Sequence, residues 1–450
     1  MASSPAGETE ASGDAPHVSV VVVNFNGRDL LDPLFRGLQA QTYRNFGVLL
    51  VDNASTDGSV DRVRNRYPEV QLIASPDNLG FSGGNNLGIR SSEGRYLALL
   101  NNDAVPDPDW LAEMVAEAEA DPTVAAVASK LLFFRPFLPL HLTVTTFRPS
   151  EQVAGSADSR DLGVLWDEES RFAGCGYHKP IFEQGFYGPE RLGERVLRWS
   201  VGEASLLLPV ENGRRSTELE LRVAGGPAPG RSLGLRVGDR ELGQVELGSE
   251  LAEHRLPVPR EVVERESFDV INNAGTDLDR FGRAADRGIH EPDRGQYDAA
   301  RDVEAFCGAA VLLRRSALDR VGLFDDDFFM YYEDTDLSWR LRRHGYRLRY
   351  RPSSVVRHLH ATSSVEYSPL FNFYTARNRV LMIAKNGTAA TAVGAWGSEF
   401  LTTLRLLASW LRHPNRPHAR QALRTRLQVQ RSLLRQLPRA ARKRLRRQPS

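Results

Sequence analysis

Asp103 stands behind two neutral amides, Asn101 and Asn102, at the end of the apolar run Tyr96-Leu97-Ala98-Leu99-Leu100. A short apolar run bounded by Gly94 and Pro106 reads as a buried strand. One carboxylate flanked by amides, at the edge of an open sheet where ligands bind, suits a hard divalent cation. Such a cation, commonly Mg2+, keeps waters and shares a substrate diphosphate. The octapeptide LLNNDAVP (99–106) reads equally as an Asn/Asp turn, with Asp103 capping the segment after it. A second acidic feature, Glu333-Asp334-Thr335-Asp336, opens a helix directly after Phe328-Phe329-Met330-Tyr331-Tyr332. Acids there cap the helix, and the apolar wall before them narrows the access of water. Further on, His358 and His360 share one face of a strand. Imidazole is an acceptable further ligand beside Asp103, and a surface histidine pair is the alternative.

These groups need a scaffold, and the first third of the chain describes one. HVSVVVVN (17–24) is a near-continuous β-branched run, the mark of a strand buried on both faces. Leu30, Leu34 and Leu38 then keep helical spacing. Strands over 48–51, 70–74 and 96–100 alternate with helices near 60–67, after the glycines of 80–84, and over 110–120. Alternation of this kind predicts a mostly parallel sheet. A dinucleotide-binding dehydrogenase needs a GxGxxG turn after its first strand, and Asn24-Phe25-Asn26-Gly27-Arg28 is not one.

Four stretches occur in order within this domain: VVVNFNG, VDNASTDGS, NLGFSGGNN and LLNNDAVP. Together they closely resemble the nucleotide-sugar-binding half of glycosyltransferase family 2, most of all its rhamnosyltransferase-like branch, and the resemblance implies the GT-A fold. It covers about 17–134 and 270–386. The family uses an aspartate at the position of Asp52 for the base, and a carboxylate at that strand end can accept the imide N–H of uracil or thymine. Asn24 and Asn53 fall beside it. Asp57 reads as the cap of the following helix. Gly80, Gly83 and Gly84 would let the backbone approach a ligand, with Phe81 beside them and Asn85 donating to ribose or phosphate; a Gly-rich turn without a ligand is the alternative. By resemblance Asn101-Asn102-Asp103 stands where the family writes two aspartates around one residue, so only the second carboxylate, Asp103, remains. The resemblance further makes Asp334 the general base, with Glu333 beside it, and selects His358 as a metal ligand with Asp103. The helix N-terminus at Asp334 is expected to favour its ionised form.

From about 136 to 268 the pattern changes to short alternating runs such as STELELRV, SLGLRV and GQVEL, punctuated by Gly and Pro. They predict an inserted antiparallel β-sandwich. Trp166, Trp199 and Tyr187 belong to its core or to a sugar-stacking platform, with core packing the favoured role. The expected organisation is thus a disordered leader (1–16), a nucleotide-sugar-binding half (17–135), the sandwich (136–268), an acceptor and catalytic half (269–386) and a basic helical region (387–450). The net charge of +1 hides an asymmetry: no acidic residue comes after Glu399, while thirteen Arg and Lys443 do. Leu423, Leu427, Leu434 and Leu437 share one face of a helix over 421–437, which reads as a membrane-surface helix. Nucleic-acid binding and a solvated helix packed on the enzyme are the alternatives, and nucleic acid is not expected as a partner.

Two distant cysteines without metal spacing, Cys175 and Cys307, read as free thiols of a reducing compartment. The leader has no signal-peptide pattern and no stretch is apolar enough to span a membrane. The expected protein is a cytoplasmic enzyme, peripheral at the inner face of the plasma membrane. It would be an inverting transferase moving a hexosyl or deoxyhexosyl group from a dTDP- or UDP-sugar to a cell-envelope glycan or lipid-linked acceptor. A non-catalytic carbohydrate-binding scaffold using the sandwich is the contrasting reading.

Overall fold

The computed structural model describes residues 17–175, 179–211, 217–279, 281–359, 368–412 and 417–446. The expected leader 1–16 and His360 lie outside the described residues. Chain contacts divide the protein into two units. One is Met1–Leu132, Asn272–Ile289 and Gln296–Ser450; the other is Phe133–Ile271 and His290–Gly295.

In the first unit the β-branched run forms β1 (Val18–Asn24), with Val20 and Val22 buried on one face and Val21 on the other. Strands β2 (Phe46–Asn53) and β4 (Tyr96–Asn101) flank it in parallel, and β3 (Gln71–Ser75) adds to β2. Helix α1 (Leu31–Gln39) packs Leu31, Leu34 and Leu38 into one core with Val18, Val20 and Val22. Helix α2 (Ser59–Arg66) crosses between β2 and β3. On the other face of the sheet lies α3 (Gly80–Arg90), packed so close that a Cβ on Gly88 would collide with the Val21 side chain. After β4 come β5 (Ala104–Pro106), α4 (Trp110–Ala120) and β6 (Val124–Phe133), whose first nine residues are all buried.

When the chain re-enters this unit it adds the edge strand β7 (Arg301–Asp302) and then β8 (Ala310–Arg314), antiparallel to both β4 and β6. Helices α5 (Arg315–Val321) and α6 (Glu333–Arg343) lead to β9 (Arg347–His358). The sheet order is β7-β9-β6-β8-β4-β1-β2-β3. The order runs outward from β1 to β3 and then restarts at β4 on the other side of β1. That reversal opens a crevice at the strand ends between β1 and β4, where open α/β sheets bind ligands. Asn24 ends β1, and Asn101 ends β4.

Three helices close this unit: α7 (Pro369–Asn386), α8 (Ala389–Arg412) and α9 (Pro417–Arg446). Val429, Leu433 and Ala440 of α9 pack with Val380, Ile383 and Phe328. The leucine stripe predicted for the tail is therefore corrected. Leu423 is 7% exposed and Leu437 is partly buried, whereas Leu427 and Leu434 face solvent. The folded helix turns the burial direction away from the stripe that sequence spacing picks out, because α7 supplies a better apolar surface than water.

The second unit is all antiparallel. Its long strand Arg195–Pro209 pairs with Phe137–Val144 through one half and with Leu165–Asp167 through the other, so one strand serves two groups of strands. Leu140, Leu206 and Leu235 from one group pack with Trp166, Phe172 and Leu221 from the other in a single core. Trp166 is fully buried, and Trp199 packs edge-on against Phe147. Tyr187 lies under the Arg160 guanidinium. The three aromatic residues make no common exposed platform.

Candidate active site

The crevice between β1 and β4 is edged by a ladder of amides and one carboxylate. Asn24 and Asp52 are register partners on neighbouring strands, so their side chains meet. The Asn24 amide donates to Asp52 Oδ2 at 2.9 Å, and the Ser55 N–H donates to Oδ1 at 2.8 Å. Asn102 in turn donates to Asn24 Oδ1 at 2.8 Å. This chain links the ends of three strands, and it is tight enough that a Cβ on Gly27 would collide with the Asn102 amide. Asp52 is 1% exposed. A carboxylate offers about four lone-pair sites, so the two protein donors leave it capacity to accept from a further partner. Asp57 accepts from Ser59 N–H at 3.0 Å and from Arg28 N–H at 2.8 Å, which shapes the loop ahead of α2.

The glycine-rich stretch has a different cause from the one read in the sequence. A Cβ on Gly84 would stand 2.7 Å from Val23 and 2.9 Å from the Asn53 amide; one on Gly80 would collide with the Phe329 carbonyl. Gly80 also has φ +69, where side chains other than glycine are disfavoured. These glycines are required by packing of α3 against the protein itself. Asn85 likewise turns its amide back to the Phe81 carbonyl at 2.9 Å, within its own helix. Asn53 donates to the Gly80 carbonyl at 2.9 Å, while its Oδ1 is buried with no hydrogen-bond donor among the described residues.

Asp103 and His358 are 255 positions apart in sequence and meet in the fold. β5 and the end of β9 pair antiparallel with His358 opposite Ala104, which sets the ring beside Asp103. His358 Nε2 lies 3.1 Å from Asp103 Oδ1, and both residues are 6% exposed. The other ring nitrogen, Nδ1, lies 2.9 Å from Asn272 Oδ1, so Asn272 orients the imidazole with Nε2 toward the carboxylate. Sequence reasoning misses Asn272, whose only signal is a pair of amides at a strand end. A carboxylate oxygen and an imidazole nitrogen are an acceptable donor pair for Mg2+ or Mn2+. Two donors on adjacent corners of an octahedron with ~2.1 Å bonds stand ~3.0 Å apart, close to the spacing seen. Among the described residues no group of three or more His, Cys, Asp or Glu gathers for a metal, so any cation here would draw its other ligands from substrate and water.

Asp334 reaches the same crevice from α6. Its Oδ2 accepts the Gly308 N–H at 3.1 Å, and the carbonyl of the next residue, Ala309, accepts the Asn101 N–H at 2.9 Å. Two residues of backbone therefore separate the acid from the strand end that carries Asp103. Phe81 covers the same spot, since a Cβ on Gly308 would stand 2.7 Å from its ring. The Thr335 N–H and hydroxyl donate to Asp334 Oδ1, fixing the carboxylate plane.

The expectation that the helix N-terminus lowers this acid is corrected. Burial pushes Asp334 above the ordinary aspartate value, although the Gly308 and Thr335 donors favour its ion. Burial, and then the Asp334 charge, push Glu333 well above the glutamate value, and Glu333 Oε2 is buried with no donor among the described residues. Desolvation outweighs the helix because no cation among the described residues faces the pair.

The loop before α6 is clamped from two sides. Asn86 donates to the Phe324 carbonyl and Asp326, and Phe81 N–H donates to the Phe329 carbonyl. From α7, the fully buried Asn378 donates to the carbonyls of Met330 and Tyr331 at 2.8 and 2.7 Å. Those bonds hold Tyr331 and Tyr332 at φ 68, a left-handed conformation that costs about 1–3 kcal/mol per residue. Backbone strain of this kind clusters at active sites and ligand clamps, and here it lies directly before the desolvated acid pair. A separate cavity of about 810 Å3, lined by Phe281, Trp339, Arg342 and Arg343, contains none of the site residues read from the sequence.

Residues 19–157 match the family profile described as Glycosyl transferase family 2, and residues 273–413 match that of Glycosyl transferase family group 2. The chain is similar to the succinoglycan biosynthesis protein ExoO of Rhizobium meliloti, 31% identical over 207 residues, which are 43% of this chain and 55% of that protein. It is also similar to the O-antigen biosynthesis protein RfbC of Myxococcus xanthus, 38% identical over 122 residues, 26% of this chain and 10% of the relative. The chain thus matches 55% or less of the length of these relatives. A solved mannosyltransferase, PcManGT from Pyrobaculum calidifontis in complex with GDP-Man and Mn2+, superposes with a TM-score of 0.40 at 15% identity, over 94% of this chain and 88% of that one. With two matched segments contributing strands to a single sheet around the β1–β4 crevice, the chain belongs to glycosyltransferase family 2 and has its GT-A fold, enlarged by a β-rich insertion.

Proposed function

We propose that the chain is an inverting glycosyltransferase that moves a hexosyl or deoxyhexosyl, rhamnosyl-like, group from a dTDP- or UDP-sugar to a hydroxyl of a cell-envelope glycan or lipid-linked acceptor. The observation that carries this reading is the approach of Asp334 to the strand end bearing Asp103, across Gly308 and Ala309. A binding module has no use for a desolvated acid held that way.

Asp52, Asn24 and Asn102 would line the pyrimidine and ribose side of the crevice, with Asn53 at the end of β2 beside them and Gly80, Phe81, Gly84 and Asn85 as the α3 wall. Asp103 and His358 would hold a divalent cation, which when bound neutralises the diphosphate leaving group. Asp334 accepts the proton of the acceptor hydroxyl as that oxygen bonds to the anomeric carbon. The anomeric C–O bond to the diphosphate breaks and its electron pair leaves with the diphosphate. One displacement at one carbon inverts its configuration. Burial raises the Asp334 pKa above the ordinary aspartate value, which makes it a stronger base than an exposed aspartate, and Glu333 stands beside it in the same desolvated pocket. Proteins with succinoglycan and O-antigen biosynthesis in their names support an envelope acceptor. An acceptor in the envelope supports work at the inner face of the plasma membrane.

A nucleotide-release screen across dTDP- and UDP-sugars, with and without EDTA, tests the reading. Release with one donor, lost with EDTA and restored by Mn2+, is expected. Absence of release with every donor, in the presence of metal and of lipid-linked acceptors, would reject it.

A further inference from the structure

Helix α8 exposes an apolar stripe that the tail's sequence pattern does not include. Val393, Phe400, Leu404 and Leu411 are 43–68% exposed, and Leu401 is exposed beside them. At 100° per residue the four directions fall within about 40° of one another. The opposite side of α8 is spent on the protein, where Ala395, Glu399 and Thr403 are buried. Trp396 donates to Gln430 of α9 at 3.0 Å, and Gln430 donates to Thr403 at 3.1 Å, so the two helices are joined edge to edge. Leu427 and Leu434 extend the apolar surface onto α9. Next to them Arg420, Arg424, Arg431 and Arg435 are exposed.

Charge decides what covers this face. Glu399 is the last acid of the chain, and it is buried between Arg379 at 2.9 Å and Arg426 at 2.5 Å. The exposed face therefore presents apolar and cationic groups with no acid among them. A second copy would bring arginine rows against arginine rows. An anionic lipid surface meets both features, since leucine and phenylalanine enter the acyl boundary while arginines stay at the headgroups. No helix among the described residues is long and apolar enough to cross a membrane, which restricts contact to the interface.

We infer that the α8–α9 hairpin is a membrane-interface platform, with Val393, Phe400, Leu404 and Leu411 as its inserting edge and the α9 arginines as its headgroup contacts. This deepens the reading of the chain as an envelope glycosyltransferase, yet its test needs no turnover. The full chain is floated at physiological salt with vesicles of equal parts phosphatidylglycerol and phosphatidylethanolamine, and separately with phosphatidylcholine alone. Binding to the first and not the second is expected. The combined variant Phe400→Ser, Leu404→Ser, Leu411→Ser should lower partitioning at least about tenfold, through loss of apolar burial. The variant Arg420→Gln, Arg424→Gln, Arg431→Gln, Arg435→Gln should lower it and flatten its salt dependence. All substituted positions are exposed, so circular dichroism and donor hydrolysis should match the parent. A parent chain that does not float, or a serine variant that floats as the parent does, overturns the inference. A concentration-dependent dimer abolished by the serine variant, without flotation, assigns the face to a second copy and also overturns it. Flotation with no hydrolysis of any donor leaves the platform standing and counts against the enzymatic reading alone.

Discussion

Asp334 and Asp336 are two residues apart on one helix and live in opposite electrostatic worlds. Asp334 and its neighbour Glu333 are desolvated with no cation beside them among the described residues, and burial raises both. Asp336 is completely buried, yet Lys385 at 2.7 Å and Arg340 at 2.9 Å outweigh its desolvation and hold it below the aspartate value. Lys385 also bridges to Asp325 at 2.5 Å, and Lys443 from α9 reaches Asp325 and Asp327 at 2.5 and 2.6 Å. The helix thus has a clamped face and an unclamped one. The clamped face holds the 325–332 loop, and the unclamped end is left with two acids that burial raises above their ordinary values. In the proposed reading, the catalytic acid is the one whose charge is left uncompensated.

The hardest way to break this contrast is to remove the cation from the clamped side. Lys385→Met should cost about 3–5 kcal/mol, the penalty for stranding buried carboxylates, read as a lower urea midpoint in chemical denaturation. A loss under about 1 kcal/mol, on the order of a surface pair, would deny the clamp its structural role. Asp334→Asn is the matching cut on the unclamped side. Turnover should fall about a hundredfold or more, the size expected for a lost general base, with donor affinity by calorimetry nearly intact. Near-normal turnover would move the base to another acid, Asp336 being excluded by its ion pairs.

A smaller effect is expected at the strand edge. Asp103→Ala should weaken donor binding in Mn2+ by about tenfold, since one metal ligand or its orienting partner is typically worth about 10–100-fold. Asn272→Ala should do the same more mildly through His358. Equal affinity with and without EDTA in the parent chain would remove the metal from this account.

The smallest effects are in pH. Because Asp334 is raised, the acidic limb of the turnover profile should lie above the ordinary aspartate value, with activity lost as pH falls through it. Stability should show the reverse sign at Glu333. A raised acid costs stability once pH climbs past its unfolded value, and the cost is complete above its folded one. Glu333→Gln should therefore raise the unfolding midpoint at neutral pH and lose that gain in acid. Asp336 and Asp325 are lowered, so their contribution is present above the aspartate value and fades as pH falls toward their folded values. A Glu333→Gln gain that persisted unchanged in acid would mean packing, not charge, is responsible.

Much of the scaffold is legible in the sequence because it is local. The runs ending at Asn24, Asp52 and Asn101 are apolar strands whose polar last residues must lie at a sheet edge. The alternating runs of 218–247 are strands on the same grounds. The glycines of α3 are visible as glycines, but their cause is not, since nothing local to 80–88 shows that Val21, Val23 and Phe329 will crowd them. The pKa of Asp334 escapes a sequence reading for a related reason. A helix N-terminus is visible in the sequence, whereas the charges around it depend on every element packed there.

The sequence by itself determined the strand-and-helix alternation, the polar strand ends and the acidic opening of α6, because each comes from periodicity or residue type over a few positions. Only the tertiary structure decided that His358 stands 3.1 Å from Asp103 with Asn272 behind it. It also decided that Lys385 and Lys443 bind Asp325. The tail likewise turns Leu423 inward and leaves the apolar edge of α8 outside. Those outcomes are pairings between residues tens to hundreds of positions apart, and which face an amphipathic helix buries depends on the neighbour it finds.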